Sequence, residues 1–82
     1  MQIDFAPGKD AANRAKHGFA LSLAAELDWD TALVWIDDRA DNGKIRMVAL
    51  IPKSEILFLV AFINRDSLRR IISLRKANRR EI

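Results

Sequence analysis

Seven of the fourteen basic residues, Arg65, Arg69, Arg70, Arg75, Lys76, Arg79 and Arg80, fall within the last eighteen positions of the chain. Arginine grips phosphate bidentately and stays charged at any relevant pH. Arginines converging on one sheet face can bind RNA and stabilise the pentacoordinate phosphate formed during cleavage. In such chemistry the 2′-hydroxyl attacks in line and no metal is needed. The same residues also suit a solvated basic face, and composition does not choose between the two. His17, the single histidine, is the only side chain that titrates near neutral pH unperturbed. It reads either as a proton-transfer group or phosphate contact, or as a helix-end residue facing the negative end of the helix dipole.

Other chemistries find less support. Asp28, Asp30, Asp37, Asp38 and Asp41 sit mostly at expected turns, where aspartate caps and turns the backbone. No twelve-residue calcium loop and no HExxH pattern accompanies them, so no metal is expected. The serines lack a GxSxG context. Phosphate-binding GxxxxGK[ST] and GxGxxG patterns are missing as well, and no cofactor is expected. The chain has no cysteine, which removes disulfides, thiolate zinc ligands and thiol nucleophiles.

Eighty-two residues make one domain with a modest core, near the size at which folding alone is marginal. The balance of 30% charged and 50% apolar residues is that of a globular protein. A net charge of +3 and the clustered arginines point to a polyanionic partner. Met1-Gln2-Ile3-Asp4 has neither the basic nor the apolar region of a signal peptide. No apolar run approaches the roughly 20 residues that span a membrane. A soluble, cytoplasmic protein without membrane contact is the expectation.

The elements that position these residues follow from pattern. Gln2–Phe5 suits a short edge strand, broken by Pro7 and Gly8. Lys9–His17 reads as a helix packed through Ala11, Ala12 and Ala15, with Asn13 left outside, and stopped by Gly18 in a left-handed cap. Leu21–Leu27 reads as a second short helix. Ala32–Ile36 is a strand, joined through Asn42-Gly43, a strong hairpin signal, to Lys44–Ile51. Alternation sets Ile45, Met47, Ala49 and Ile51 on one face of that strand and Lys44, Arg46, Val48 and Leu50 on the other. The unbroken apolar run Ile56–Ile63 is the length of a central strand covered on both faces. After the turn Asn64–Ser67, Leu68–Arg75 is a last strand; strict alternation groups Arg69, Ile71, Ser73 and Arg75 on one face. Lys76–Glu81 reads as a short basic helix. The expected fold is α+β: two N-terminal helices, an antiparallel meander of about four strands and a closing helix.

Arg70-Ile71-Ile72-Ser73-Leu74-Arg75-Lys76-Ala77-Asn78-Arg79-Arg80-Glu81 resembles the closing motif RIIS-x-R-x-A-x-x-x-E of the BrnT toxin family. Lys9, Asn13, Lys16, His17 and Gly18 match its opening K-x-x-x-N-x-x-K-H-G pattern. Asp38-Arg39, Gly43 and Arg46 resemble its hairpin, and Arg65 falls at its post-strand arginine. The chain departs from the family at Ala6, where Asp is common, at Lys44, where Glu is, and at Ile63, where Thr is frequent. Loss of the Glu removes one candidate acid–base group.

The resemblance implies a RelE-like fold and a toxin of a type II toxin–antitoxin system. It further implies a metal-independent endoribonuclease that inhibits translation by cleaving RNA. The implied partner is a BrnA-like antitoxin, a ribbon-helix-helix DNA-binding protein, so DNA is met only through that partner. Carried over by motif, Arg46, Arg65, Arg70 and Arg75 are the expected phosphate and transition-state contacts, with His17 and, beside it, Lys16 the proton-transfer candidates. Lys16, Arg69, Lys76 and Arg79 would guide RNA. The alternative is a weakened or inactive homologue that acts as an antitoxin-binding module. A stand-alone DNA-binding protein is weaker still, since no recognition helix is evident.

Overall fold

A computed structural model describes residues 2–41 and 44–78. Strand β1 (Gln2–Asp4) leads into helix α1 (Pro7–His17). Two 3-10 turns follow at Leu21–Glu26 and Trp29–Thr31. Four strands complete the order: β2 (Leu33–Asp41), β3 (Lys44–Lys53), β4 (Ile56–Arg65) and β5 (Leu68–Lys76). The sheet runs β1-β5-β4-β3-β2. The meander β2–β5 is antiparallel throughout, and β1 joins β5 in parallel.

The apolar run does form the central strand. Phe58, Val60 and Phe62 are buried on its packed face, and Ala61 on the other. Leu21, Ala24 and Leu27 cover that packed face, meeting Ala49, Ile51, Ile71 and Leu74. Trp29 packs edge-on to Phe62, with centroids 5.2 Å apart, and its indole N–H donates to the Ala24 carbonyl at 2.9 Å. Burying a polar aromatic in this way satisfies its donor while its ring adds apolar area. Two-residue hairpins follow β3 and β4; Ser54 and Asp66 take the left-handed conformation there, at φ 56° and 57°.

Several expectations are corrected. The second helix is a 3-10 segment. The first strand of the meander extends to Asp41, well past Ile36. No helix begins at Lys76. That residue is the last of β5, opposite Phe58, and the Ala77 N–H donates to the Leu57 carbonyl at 2.8 Å. The long neighbouring strand β4 offers backbone partners that hold this segment extended. Arg79 to Glu81 lie outside the described residues, as does the Asn42-Gly43 turn.

The helix buries the reverse of what its alanine stripe implied. Ala11, Ala12 and Ala15 are exposed, and Asn13 is the buried residue of α1. Strand β1 ends opposite Arg70, so among the described residues no strand pairs with the outer edge of β5 at Leu74. Asn13 takes that position. Its side-chain amide donates to the Leu74 and Phe19 carbonyls, both at 2.8 Å, and its oxygen accepts the Leu74 N–H at 3.0 Å. One side chain stands in for a missing strand, because buried backbone groups must find partners. Gly18 ends the helix as expected, at φ 83°, its N–H donating to the Arg14 carbonyl.

Candidate functional site

With α1 pinned along β5 by Asn13, its last turn overhangs the sheet face opposite the packed core. A cavity of about 410 Å³ opens between them. Lys9, Lys16 and His17 come from the helix, Asp37 and Arg46 from β2 and β3, and Ser73 and Arg75 from β5. Val48, Leu59, Ala61 and Ile72 form its apolar floor. Four lysine or arginine side chains and one histidine thus surround one carboxylate, a balance that favours an anion.

Two departures from regular pairing aim these side chains. Asp41 pairs with Lys44, yet Arg46 pairs with Asp37, a two-residue slip in the β2–β3 ladder. Without it Arg46 would face Arg39; with it, Arg46 Nε lies 3.6 Å from the largely buried Asp37 Oδ2. In β5, Phe62 pairs with Ile71 and Ala61 with Ser73, so Ile72 is an extra residue. Bulges of this sort redirect the side chains beyond them. Arg69 and Ile71 therefore share the packed face with Leu74, whereas Ser73 and Arg75 turn to the cavity. The strict alternation that grouped Arg69 with Arg75 does not hold.

His17 sits at the end of α1 and its pKa is lowered. Burial is the main cause, followed by the charges of Lys16 and Arg75, all of which disfavour the imidazolium. The shift favours the neutral imidazole, the form that can accept a proton.

Of the residues singled out from sequence, Lys16, His17, Arg46 and Arg75 line the cavity together. Arg65 ends β4 in the open, beyond the cavity wall. Arg70 meets Asp4 across β1, Nη2 to Oδ2 3.6 Å. Arg69 lies on the opposite face, its guanidinium 4.6 Å over Trp29 and 5.0 Å from the Phe62 ring centre. Lys76 is exposed at the end of β5, and Arg79 lies outside the described residues. Sequence reasoning missed Lys9, Asn13, Asp37 and Ser73. Asn13 carried a signal, an amide placed in the same motif as Lys16 and His17. Asp37 carried none, because the slip that brings it to Arg46 has no marker in the residues.

Comparison with known protein families matches residues 5–81, nearly the whole chain, to the ribonuclease toxin, BrnT, of type II toxin–antitoxin systems. The chain belongs to the BrnT family. The match spans both the helix and the strands that wall the cavity. Membership implies an antitoxin partner. None of the curated proteins compared with the chain matches it. Among the described residues no helix is long and apolar enough to cross a membrane, and no group of three or more potential ligands gathers as for a metal ion.

Proposed function

We propose that this BrnT-family chain is a cytoplasmic endoribonuclease that cleaves RNA without a metal ion and so inhibits translation. The observation that carries the proposal is the meeting of Lys16, His17, Arg46 and Arg75 around one cavity. Arg46 and Arg75 hold the non-bridging oxygens of the scissile phosphate, where charge grows in the transition state. The ribose 2′-oxygen attacks phosphorus while its proton passes to the neutral His17 imidazole. The bond from phosphorus to the 5′-oxygen breaks, and that oxygen takes up a proton as it leaves. The product is a 2′,3′-cyclic phosphate. Lys16 and Lys9 steer the backbone into the cavity, and Arg65, Arg70 and Lys76 extend the basic surface beyond it. Arg79 is assigned to the same guiding role from its place in the motif.

The antitoxin proposed is of the BrnA type, a ribbon-helix-helix protein through which the complex touches DNA. The test is cleavage of RNA by the purified chain in EDTA, with end-group analysis of the products. Cyclic or 3′-phosphate ends are expected; a requirement for added magnesium would refute the mechanism. One observation favours a second reading, an antitoxin-binding module without turnover: the Arg46 guanidinium is already paired with Asp37. Absence of cleavage by folded protein, with and without ribosomes, would select it.

A further inference from the structure

Among the described residues the two long edges of the sheet are treated differently. On one side β5 is covered by β1 and by the Asn13 side chain. On the other, β2 is the outermost strand, nine residues long. Leu33, Val34, Trp35 and Ile36 follow one another along it, 69%, 45%, 43% and 62% exposed, and Ile45 on β3, just beyond the Asp37–Arg46 pair, is 62% exposed. Edge strands are normally blunted by charge, proline, a bulge or a cover. Residues 33–36 have none of these: they hold regular register with Leu50 to Met47 and carry no charge or proline. Consecutive side chains of a strand point to opposite faces, so this edge is apolar above and below the sheet.

A second copy of the chain fits this edge poorly. A symmetric dimer through β2 pairs the strand with itself antiparallel about a two-fold axis. That arrangement brings the Asp37 end of one strand towards Asp30, in the 3-10 turn that leads into the other. The Leu33 and Trp35 row, however, runs along the cavity face straight to Asp37 and Arg46 at the mouth of the basic cavity. An occupant with an apolar strand followed by carboxylates matches both.

We infer that the outer edge of β2 at Leu33–Ile36 is where the antitoxin docks, adding an extended apolar segment as a sixth strand whose acidic continuation enters the cavity lined by Lys16, Arg46 and Arg75. The inference rests on the toxin–antitoxin reading but not on catalysis. Main-chain pairing supplies the seat, and the alternating apolar pockets supply selectivity. Occupying the edge also removes an aggregation-prone strand from solvent, so the free chain is the less soluble form.

Val34 and Ile36 point away from the cavity and make the decisive variant. The Val34→Lys, Ile36→Lys double variant should bind the antitoxin of its own system roughly a hundredfold more weakly by calorimetry, as loss of central interface contacts does. RNA cleavage by the free variant should equal that of the wild type, and the antitoxin should no longer suppress it. Undiminished affinity would overturn the inference. Independently of any variant, hydrogen exchange in the wild-type complex should slow at residues 33–37; protection confined to α1 and β5 would also overturn it. Sedimentation of the free chain should show a monomer. A dimer abolished by the double substitution would assign the edge to a second copy instead. Should neither protein cleave RNA, the ribonuclease reading alone would fail, since the binding and exchange measurements still decide the surface.

Discussion

Arg69 and Arg75 lie six residues apart on one strand, and only one of them reaches the cavity. Arg69 lies over two aromatic rings on the packed face, its guanidinium against Trp29 and Phe62 where those rings meet edge-on. Arg75 stands on the opposite face near His17 and contributes to that imidazole's lowered pKa. The extra residue Ile72 separates the two roles by changing which side of the sheet the strand presents. A run of arginines is therefore not one basic patch. Backbone register decides which guanidinium packs on aromatic rings and which faces the cavity.

The largest expected effect tests that division directly. Arg75→Ala should lower RNA cleavage by about a hundred- to a thousandfold, the usual loss when one stabiliser of transition-state charge is removed. Arg69→Ala should instead leave cleavage nearly intact. Equal losses of turnover for the two variants would break the comparison.

Asn13 ranks next, because it holds the helix half of the cavity to the strand half. Asn13→Ala leaves the Leu74 N–H and C=O and the Phe19 carbonyl without their side-chain partner, at about 1–3 kcal/mol for such an orphaned buried group. Chemical denaturation would measure it. The consequence for chemistry is read at His17, the only imidazole in the chain, by NMR titration. Its pKa should rise towards the ordinary value as α1 loosens from Arg75, since burial and that charge are among the causes of its depression. The sign for stability follows. The folded state holds the lower pKa, so the unfolded state binds the proton first as pH falls. The neutral His17 contribution is complete above about 6.5 and is lost as pH falls from there through the folded value. The Asn13 variant should show a shallower acid slope.

Much of the scaffold was legible for physical reasons, and the site was only half so. Ile56–Ile63 announced the central strand by its unbroken apolar length, although the expected cover on both faces is not there: Leu59 and Ala61 floor the open cavity. Gly18 announced a helix end because its left-handed conformation excludes most side chains. The helical reading of Leu21–Leu27 found a real segment with the wrong turn. By contrast, Ile72 looks like any strand residue, and the slip between Asp37 and Asp41 leaves no trace in composition. Both are consequences of tertiary pairing. Asn13 was misplaced because amphipathic patterning assigns polar residues to solvent, whereas here a polar residue is the one that can satisfy an open strand edge.

The third effect is that of Arg69 on stability. Cation–π contacts contribute roughly 0.5–2 kcal/mol, more when desolvated. Arg69→Ala should fall in that range, and Arg69→Lys should recover only part, since an ammonium cannot stack its plane against Trp29. Full recovery by lysine would show that charge alone matters at this position.

Arg70 gives the smallest effect and the finest test. It precedes the bulge in the same motif as Arg75, but its guanidinium meets Asp4 of β1, and both side chains are more than a third exposed. Exposed pairs of this kind are worth about 0–1 kcal/mol and weaken with salt. Asp4→Asn should therefore cost little stability, and less at high ionic strength. It also releases Arg70 to meet RNA, so binding of a single-stranded oligonucleotide should tighten slightly. The salt dependence should steepen by about 0.7, the slope that one additional neutralised phosphate brings. Arg70→Ala should reduce cleavage several-fold at most. A loss as large as that of Arg75→Ala would mean that the reacting phosphate lies further along β5, towards β1, and that the cavity beside His17 is only its approach.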